Sequence, residues 1–378
     1  MYEFKPFSLT DRNSRAYPVV SVGFLFISCD NNNLYTYDTK FPGIWSYNLS
    51  TNLWVELIIS LKNNLSTTED NIIGIIKEDN LIKIFSQKNL TNVSKAQLHI
   101  CNLDTKEVVK QNLNGLVPDS DSICRRNIFY YNNCYYTVLR CRPSIGEAFY
   151  DLKIYRLNLD TYTWEYVDKS TSMPLSYHNE TSSSVGVVYN NDKLYLFMSY
   201  NLHYIWMFDL KTNTWNATYM SSDDEHVHGD KIFPELRESY SMSSYVDPDT
   251  NDTCLIVSGG ENLRTYNADS AIWKFNLTSL KWYFLGKFGD LEHQCYFRRW
   301  ACVTPKGKLV TCDESSDDRR SRHVFSRKVY SAWTRVPTLE DMCWDAVLYY
   351  HPNLPNESKD VVQIKFGIPW NFLQEKIK

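Results

Sequence analysis

A recurring octapeptide organises this chain, and its first copy reads Tyr47-Asn48-Leu49-Ser50-Thr51-Asn52-Leu53-Trp54. An aromatic or apolar residue is followed by Asn or Asp, by Leu, by a polar turn and by Trp. The pattern returns in 157–164, 208–215 and 275–282, and in 101–108 with Val in place of Trp. The steps between successive Asn or Asp positions run from 51 residues (Asn158 to Asp209) to 67 residues (Asp209 to Asn276). This spacing predicts one structural unit for each copy.

Each copy predicts a β-hairpin, because Asn, Asp, Ser and Thr close tight turns through local hydrogen bonds. The Trp is too large for a lone hairpin, so we expect it to pack between neighbouring units. A second strand pair precedes each copy, as in Val185–Tyr189 and Lys193–Met198. Four strands at a period near fifty residues are typical of the blades of a kelch propeller. The sequence therefore predicts an all-β fold of repeated blades.

A sixth, shorter unit spans Tyr296–Val336 and lacks the Asn-Leu turn, so its blade is one strand short. The N-terminal stretch Tyr2–Ser8 begins by alternating aromatic and polar residues. We expect it to supply the missing outer strand, because an open ring would expose two unpaired sheet edges. The predicted architecture is a six-bladed kelch β-propeller over residues 1–336, followed by a short α-helical tail over residues 337–378.

Composition argues against several classes of function. The 40 basic and 44 acidic residues give a net charge of −4, which offers no electrostatic case for nucleic-acid binding. No apolar run is long enough to span a bilayer, and the first residues lack the apolar core of a signal peptide. The ten cysteines form no Cys-x-x-Cys pair, and no catalytic motif stands out. We expect a non-enzymatic protein of the cytoplasm and nucleus, with no cofactor, metal, nucleic-acid or membrane partner.

The tail changes from strand to helix periodicity after Pro337. Thr338 suits the N-cap of a helix, and the acidic residues that follow it suit the first turn. The positions spaced three and four residues apart form one apolar stripe. The stripe consists of Leu339, Met342, Cys343, Ala346 and Val347. From this pattern alone, the helix could dock on the chain's own propeller or in the apolar groove of a partner.

The tail also resembles a known family. The stretches Trp333-Thr334-Arg335-Val336-Pro337-Thr338-Leu339, Pro352-Asn353-Leu354 and Leu373-Gln374-Glu375-Lys376-Ile377-Lys378 look like the tail of kelch-repeat substrate receptors of Cullin-2–Elongin B/C ubiquitin ligases. The spacing from Leu339 to Val347 resembles an Elongin C-binding box, and Ile368-Pro369 resembles the segment that contacts the cullin. The resemblance implies that Elongin C with Elongin B, Cullin-2 and target proteins are the partners.

Ligands of propellers usually meet the loops that precede the inner strands. In this sequence, those loops provide Arg125, Arg126, His178, Arg237, Tyr240, Arg298, Arg299 and Trp300. Arginine binds carboxylates through two hydrogen bonds, and aromatic rings stack on neighbouring side chains. The resemblance implies that such residues bind the C-terminal residues of target proteins. Where the family has arginines, however, this chain has His178-Asn179-Glu180, and the arginines could instead form salt bridges with nearby acids.

A different class of function is also compatible with the repeats. Some kelch proteins are scaffolds that bridge proteins, including proteins of the actin cytoskeleton, and have no role in a ligase. In such a scaffold we would expect the helices after Pro337 to pack on the propeller and stabilise it. Removing Pro337–Lys378 would then lower the melting temperature of the propeller, whereas a truncated ring as stable as the full chain would argue against the scaffold.

Overall fold

The fold is known from a computed structural model of the chain. It describes residues 7–9, 24–30, 32–38, 43–50, 53–58, 70–90, 93–115, 128–141, 151–167, 185–198, 201–219, 234, 237–238, 240–262, 271–287, 300–317, 322–335, 337–351 and 354–377. Strands dominate these ranges up to Trp333, and helices follow from Leu339.

Twenty-seven strands lie in the described residues. The first is β1 (Phe7–Leu9). Blade 1 contains β2 (Phe24–Cys29), β3 (Asn33–Asp38), β4 (Gly43–Asn48) and β5 (Leu53–Ile58). Blade 2 contains β6 (Asp70–Glu78), β7 (Leu81–Leu90), β8 (Val93–Asn102) and β9 (Val108–Asn112). Blade 3 contains β10 (Asn114–Gly115), β11 (Ile128–Tyr131), β12 (Cys134–Cys141), β13 (Asp151–Asn158) and β14 (Thr163–Tyr166).

The second half of the ring follows the same plan. Blade 4 contains β15 (Val185–Asn190), β16 (Lys193–Met198), β17 (Asn201–Asp209) and β18 (Thr214–Tyr219). A short ribbon pairs β19 (Arg237–Glu238) with β22 (Glu261–Asn262), which flank β20 (Ser241–Val246) and β21 (Thr253–Ser258) in sequence. Blade 5 contains β20 and β21 together with β23 (Ala271–Asn276) and β24 (Lys281–Lys287). Blade 6 contains β25 (Trp300–Val303), β26 (Lys308–Asp317) and β27 (Arg322–Trp333), and β1 pairs with β27 at its outer edge. The predicted six-bladed propeller is confirmed.

The repeated octapeptide forms the same turn in each of its five copies. In every copy the side-chain oxygen of the Asn or Asp accepts hydrogen bonds from backbone N–H groups two or three residues later. Asp209, for example, accepts from Lys211 at 2.9 Å and from Thr212 at 3.0 Å. A short polar side chain thereby satisfies backbone donors that the turn leaves without a partner.

The Trp of the octapeptide packs between blades, as the sequence predicts. Trp164 is 1% exposed, and its ring lies 6.2 Å from that of Phe85 in the preceding blade. In the same way Trp282 lies 6.3 Å from Phe197 of blade 4. Buried aromatic side chains supply large apolar area, so these contacts hold neighbouring sheets together.

The ring is closed by contacts between blade 6 and blade 1. Leu34 and Tyr47 of blade 1 pack in one apolar cluster with Cys302 and Val310 of blade 6. The outermost strand of blade 6 is β1, whose Phe7 pairs with Ser331 in antiparallel register. This is the outer position that we expect of the N-terminal segment. The strand begins at Phe7, after the alternating residues 2–5, which lie outside the described part of the chain.

The tail folds on its own small core. Its elements are α1 (Leu339–Tyr350), a 3-10 turn (Leu354–Asn356), a π-helical turn (Val361–Lys365) and α2 (Trp370–Ile377). Four buried side chains form the centre of this core: Trp344, Leu354, Val362 and Leu373. The helices therefore stabilise one another mainly through residues of the tail itself.

Candidate functional site

The first candidate site is helix α1, which begins where the sequence predicts. The hydroxyl oxygen of Thr338 accepts a hydrogen bond from the backbone N–H of Asp341 at 3.1 Å. Glu340 and Asp341 place negative charge in the first turn, where the helix dipole favours it. The capped helix therefore has a fixed start at Leu339, and the positions of all its side chains follow from that start.

One side of α1 is apolar and faces solvent. Leu339 is 73% exposed and Met342 is 46% exposed. Cys343 and Ala346 are also exposed, and Tyr350, at 74%, extends the same side by one turn. These five residues are called the α1 stripe below. Burial of a large apolar side chain such as Leu339 against a partner stabilises the complex, because apolar surface is removed from water.

The opposite side of α1 is buried in the core of the tail. Trp344 is a central member of that core, and its ring lies 5.9 Å from the ring of Phe372 in an edge-to-face contact. Val347 and Leu348 are partly buried against the same core. Val347 thus lies at the border of the stripe and faces inward more than the sequence pattern suggests. The tail core therefore supports α1 on the side opposite the α1 stripe.

Polar contacts attach α1 to blade 6. The carboxylate of Asp345 accepts hydrogen bonds from Lys308 Nζ at 2.9 Å and from Trp333 Nε1 at 3.1 Å. Arg335 lies between Asp341 of α1, at 3.7 Å, and Asp249 of blade 5, at 3.4 Å. These contacts, called the blade–helix clamp below, fix the direction in which the α1 stripe faces.

The two residues of the predicted cullin segment have different surroundings. Ile368 is partly buried and packs against the tail core, whereas Pro369 is exposed and its carbonyl accepts the Leu373 N–H at 3.2 Å. Ile364, in the preceding π-helical turn, is 85% exposed. The sequence reasoning missed Ile364, because its alternation with Val362 and Phe366 is typical of a strand and not of the π-helical turn that the structure contains.

At the propeller mouth, the structure places Arg237 inside the protein. Its side chain is 1% exposed, and Nη1 donates a hydrogen bond to the carbonyl of Gly259 at 3.1 Å. Gly259 and Gly260 both have positive φ, at 67° and 94°, and form the turn that brings β22 beside β19. This position favours a structural role for Arg237 rather than direct contact with a peptide.

Tyr240 links two blades. Its hydroxyl donates to the carbonyl of Phe197 at 3.3 Å, and its ring packs against the cluster between blades 4 and 5. Trp300 is described by its backbone, which pairs with Cys312 at the start of β25. The other predicted residues of the mouth lie outside the described part of the chain: Arg125, Arg126, His178, Arg298 and Arg299.

The described residues lack two other features. Among them, no helix has the length and apolar character needed to cross a membrane. The same residues contain no group of three or more His, Cys, Asp or Glu side chains that could hold a metal ion.

A closed ring of six blades with an exposed helical face is typical of a protein-interaction module, and curated kelch proteins are similar to this chain. No family model matches it. Kelch domain-containing protein 10 homolog of Drosophila melanogaster is 27% identical over 241 residues, which cover 60% of this chain and 37% of that protein. Human Kelch domain-containing protein 10 is 23% identical over 273 residues, covering 69% of this chain and 55% of the human protein.

The curated relatives all have this name, and their identity to the chain is low, between 22% and 27%. They support the family resemblance that the tail sequence indicates. The chain spans only 37% to 59% of the length of the relatives it matches. Among solved structures, one titled "Structure of YjhT" matches 84% of this chain with 12% identity and a TM-score of 0.48.

Proposed function

We propose that this chain is the substrate-recognition subunit of a Cullin-2–Elongin B/C ubiquitin ligase in the cytoplasm and nucleus. The α1 stripe binds Elongin C, which brings Elongin B, and the segment around Ile368-Pro369 contacts Cullin-2. The propeller mouth holds target proteins near their C-terminal residues. The chain itself has no catalytic role in this proposal, because the ligase transfers ubiquitin through its other subunits.

The exposed α1 stripe is the observation that carries the proposal. A helix that served only to stabilise the chain would turn its apolar side inward, as α1 does with Trp344. Leu339 and Met342 instead face solvent on the other side. An amphipathic helix with anchors at these spacings fits a groove on a partner protein. The family resemblance supports Elongin C as that partner.

The blade–helix clamp supports the proposal in a second way. A substrate receptor must hold its target at a defined position relative to the rest of the ligase. Lys308 and Trp333 belong to blade 6 and contact Asp345 of α1 directly. A rigid link between the propeller and the docking helix is therefore consistent with a receptor function.

Target recognition is proposed for the mouth residues Arg125, Arg126, His178, Arg298, Arg299 and Trp300. Arg237 and Tyr240 shape this region through their contacts with Gly259 and Phe197. If an arginine binds the terminal carboxylate of a target, amidation of that terminus should weaken binding at least about tenfold. Peptides ending in Gly or Ala, measured with free and amidated ends, test this step; equal affinity would assign recognition to another feature.

The adaptor interaction is tested with purified Elongin B/C. Leu339→Arg should reduce recovery of the Elongin pair at least about tenfold, because it places a charge on an apolar residue of the α1 stripe that is 73% exposed. Ile364→Arg is a matched control, since Ile364 is also apolar and exposed but lies outside the stripe. Equal recovery with Leu339→Arg and with the control would contradict the ligase function and leave the module as a scaffold.

A further inference from the structure

The outer strand of blade 5 has features of a second protein-binding surface. β24 is the last strand in the order β20-β21-β23-β24, and no strand of the described residues pairs with its outer edge. Blade 3 differs, because its strand β14 is covered by β10. The outer strands of blades 1, 2 and 4 also lack a partner strand among the described residues, but they have five or six residues, and that of blade 6 has three, whereas β24 has seven. An uncovered outer strand has backbone N–H and C=O groups that can pair with another chain.

Exposed aromatic side chains flank this edge on both faces of the sheet. Tyr283 is 46% exposed and Phe284 is 51% exposed, and neighbouring residues of a strand point to opposite faces. The Phe284 ring lies 5.1 Å from that of Trp273, which holds it in place at the border of the core. A peptide strand added at this edge would cover apolar area on both of its faces.

The charges of β24 favour an acidic occupant. Lys281 and Lys287 are exposed at the two ends of the strand. The nearby Lys274 does not add to this charge, since it forms a salt bridge with Asp247. If two copies of the chain paired antiparallel about Phe284, Lys281 of one would face Lys287 of the other. Like charges placed directly opposite are unfavourable, so charge argues against self-association at this edge.

A bulge limits how far pairing can extend. The register between β23 and β24 shifts around Leu285, with Phe284 opposite Trp273 and Gly286 opposite Ile272. Lys281 to Phe284 therefore form a regular stretch, and the strand bends after it. A short peptide segment fits such an edge, whereas the bend opposes open-ended growth of a sheet.

We propose that β24 binds an extended segment of a partner protein, acidic at its ends and apolar between, by strand addition. The interaction uses a different surface from the α1 stripe and from the propeller mouth. Backbone hydrogen bonds supply affinity, and the two lysines with Tyr283 and Phe284 supply selectivity for the segment. The surface would allow the module to hold a third protein beside its adaptor and its target.

Two labelled peptides test this inference with the full chain. The acidic peptide Glu-Ile-Thr-Val-Ile-Glu should bind at least about fivefold more tightly than Lys-Ile-Thr-Val-Ile-Lys in a fluorescence anisotropy titration, because two attractive contacts replace two repulsive ones. Raising the salt concentration should reduce the preference, since the lysines are exposed. Failure of the acidic peptide to bind at about 1 mM, or equal binding of both peptides, would overturn the proposal.

Variants of the strand locate the binding site. The double variant Lys281→Glu, Lys287→Glu changes exposed side chains only, and it should reverse the preference between the two peptides. Phe284→Ser should weaken both peptides, and Val109→Ser, on the outer strand of blade 2, is a matched control because Val109 is 59% exposed. An unchanged preference in the lysine variant would overturn the proposal. A concentration-dependent dimer that Phe284→Ser abolishes would also overturn it, in favour of a second copy as the occupant.

Discussion

Lys308 Nζ lies 2.9 Å from a carboxylate oxygen of Asp345, across the junction between blade 6 and helix α1. The same ammonium group lies 5.3 Å from the centre of the Trp333 ring, whose Nε1 donates to Asp345. Both charged side chains are largely buried, at 23% and 25% exposure, so the pair is less screened by solvent than a surface ion pair. The direction of helix α1 therefore depends on a contact between charges.

The first prediction concerns this clamp. Lys308→Met keeps most of the aliphatic stem but removes the charge, so α1 should exchange its backbone hydrogens at least about fivefold faster. This corresponds to about 1 kcal/mol of lost local stability, which is typical of one hydrogen-bonded charge pair. Hydrogen exchange with mass spectrometry measures the effect. Lys306→Met is the control, because Lys306 is exposed in the adjacent turn. Equal exchange in both variants would show that the pair of Lys308 with Asp345 does not stabilise α1.

The second prediction concerns the repeated turn. Asn158→Ala removes the acceptor for the N–H groups of Asp160 and Thr161, at 2.8 and 3.3 Å. The free energy of unfolding should fall by about 1 kcal/mol, as for the loss of a helix cap. Asn158→Asp keeps the acceptor and should cost less. Urea unfolding midpoints compare the three proteins, and an Asn158→Ala midpoint equal to wild type would contradict the role of the turn.

The third prediction concerns acid stability. Burial alone would raise the pKa of Asp247, but hydrogen bonds from Lys274 and from backbone N–H groups lower it below its usual value. A group whose pKa is lower in the folded state stabilises the protein above its unfolded pKa, near 4, and loses that contribution as the pH falls below this value. Asp247→Asn should therefore reduce stability at pH 7 by about 2 kcal/mol and flatten its loss on acidification.

Thermal unfolding between about pH 3 and pH 7 measures this dependence. Asp79→Asn is a suitable control, because Asp79 is exposed in the turn between β6 and β7. If Asp247→Asn and the control lose stability in parallel with the wild type as the pH falls, the pair with Lys274 contributes nothing to acid stability.

The fourth prediction separates structure from recognition at the propeller mouth. Arg237→Met leaves the carbonyl of Gly259 without its buried donor and should lower the free energy of unfolding by about 2 kcal/mol. Arg156→Met should cost about 0.5 kcal/mol, because Arg156 is 43% exposed and pairs with Glu165 at the surface. Calorimetry compares the two variants. Equal stability of the two variants would contradict the structural role of Arg237.

Local chemistry explains why the blades are predictable from sequence. The side chains of Asn48 and Asp209 accept hydrogen bonds from backbone N–H groups two or three residues later in the same turn. The residues that form each turn therefore all lie within the octapeptide. The N-cap at Thr338 is local in the same sense. In contrast, β26 continues as far as Asp317 through a polar stretch without apolar alternation, because this stretch pairs with β27.

Residues that depend on distant partners could not be placed from the sequence. Arg237 has the composition of a ligand-binding residue, and its burial follows from the carbonyl of Gly259, which lies in a different strand connection. Val347 has the periodicity of the α1 stripe, yet its side chain packs against the tail core that contains Leu354, Val362 and Leu373. Periodicity indicates which side of a helix is apolar, and only tertiary contacts indicate what covers it.

The pairing of Phe7 with Ser331 has a consequence for the order of events during synthesis. Blade 6 therefore combines a strand that is synthesised before blades 1 to 5 with strands that are synthesised after them. Long-range pairing of this kind forms late, because the intervening chain must already be arranged. Lys308 and Trp333, which hold α1, belong to that last blade. A nascent or truncated chain would therefore lack the platform that supports helix α1, and the α1 stripe would reach its final orientation only in molecules with a completed ring.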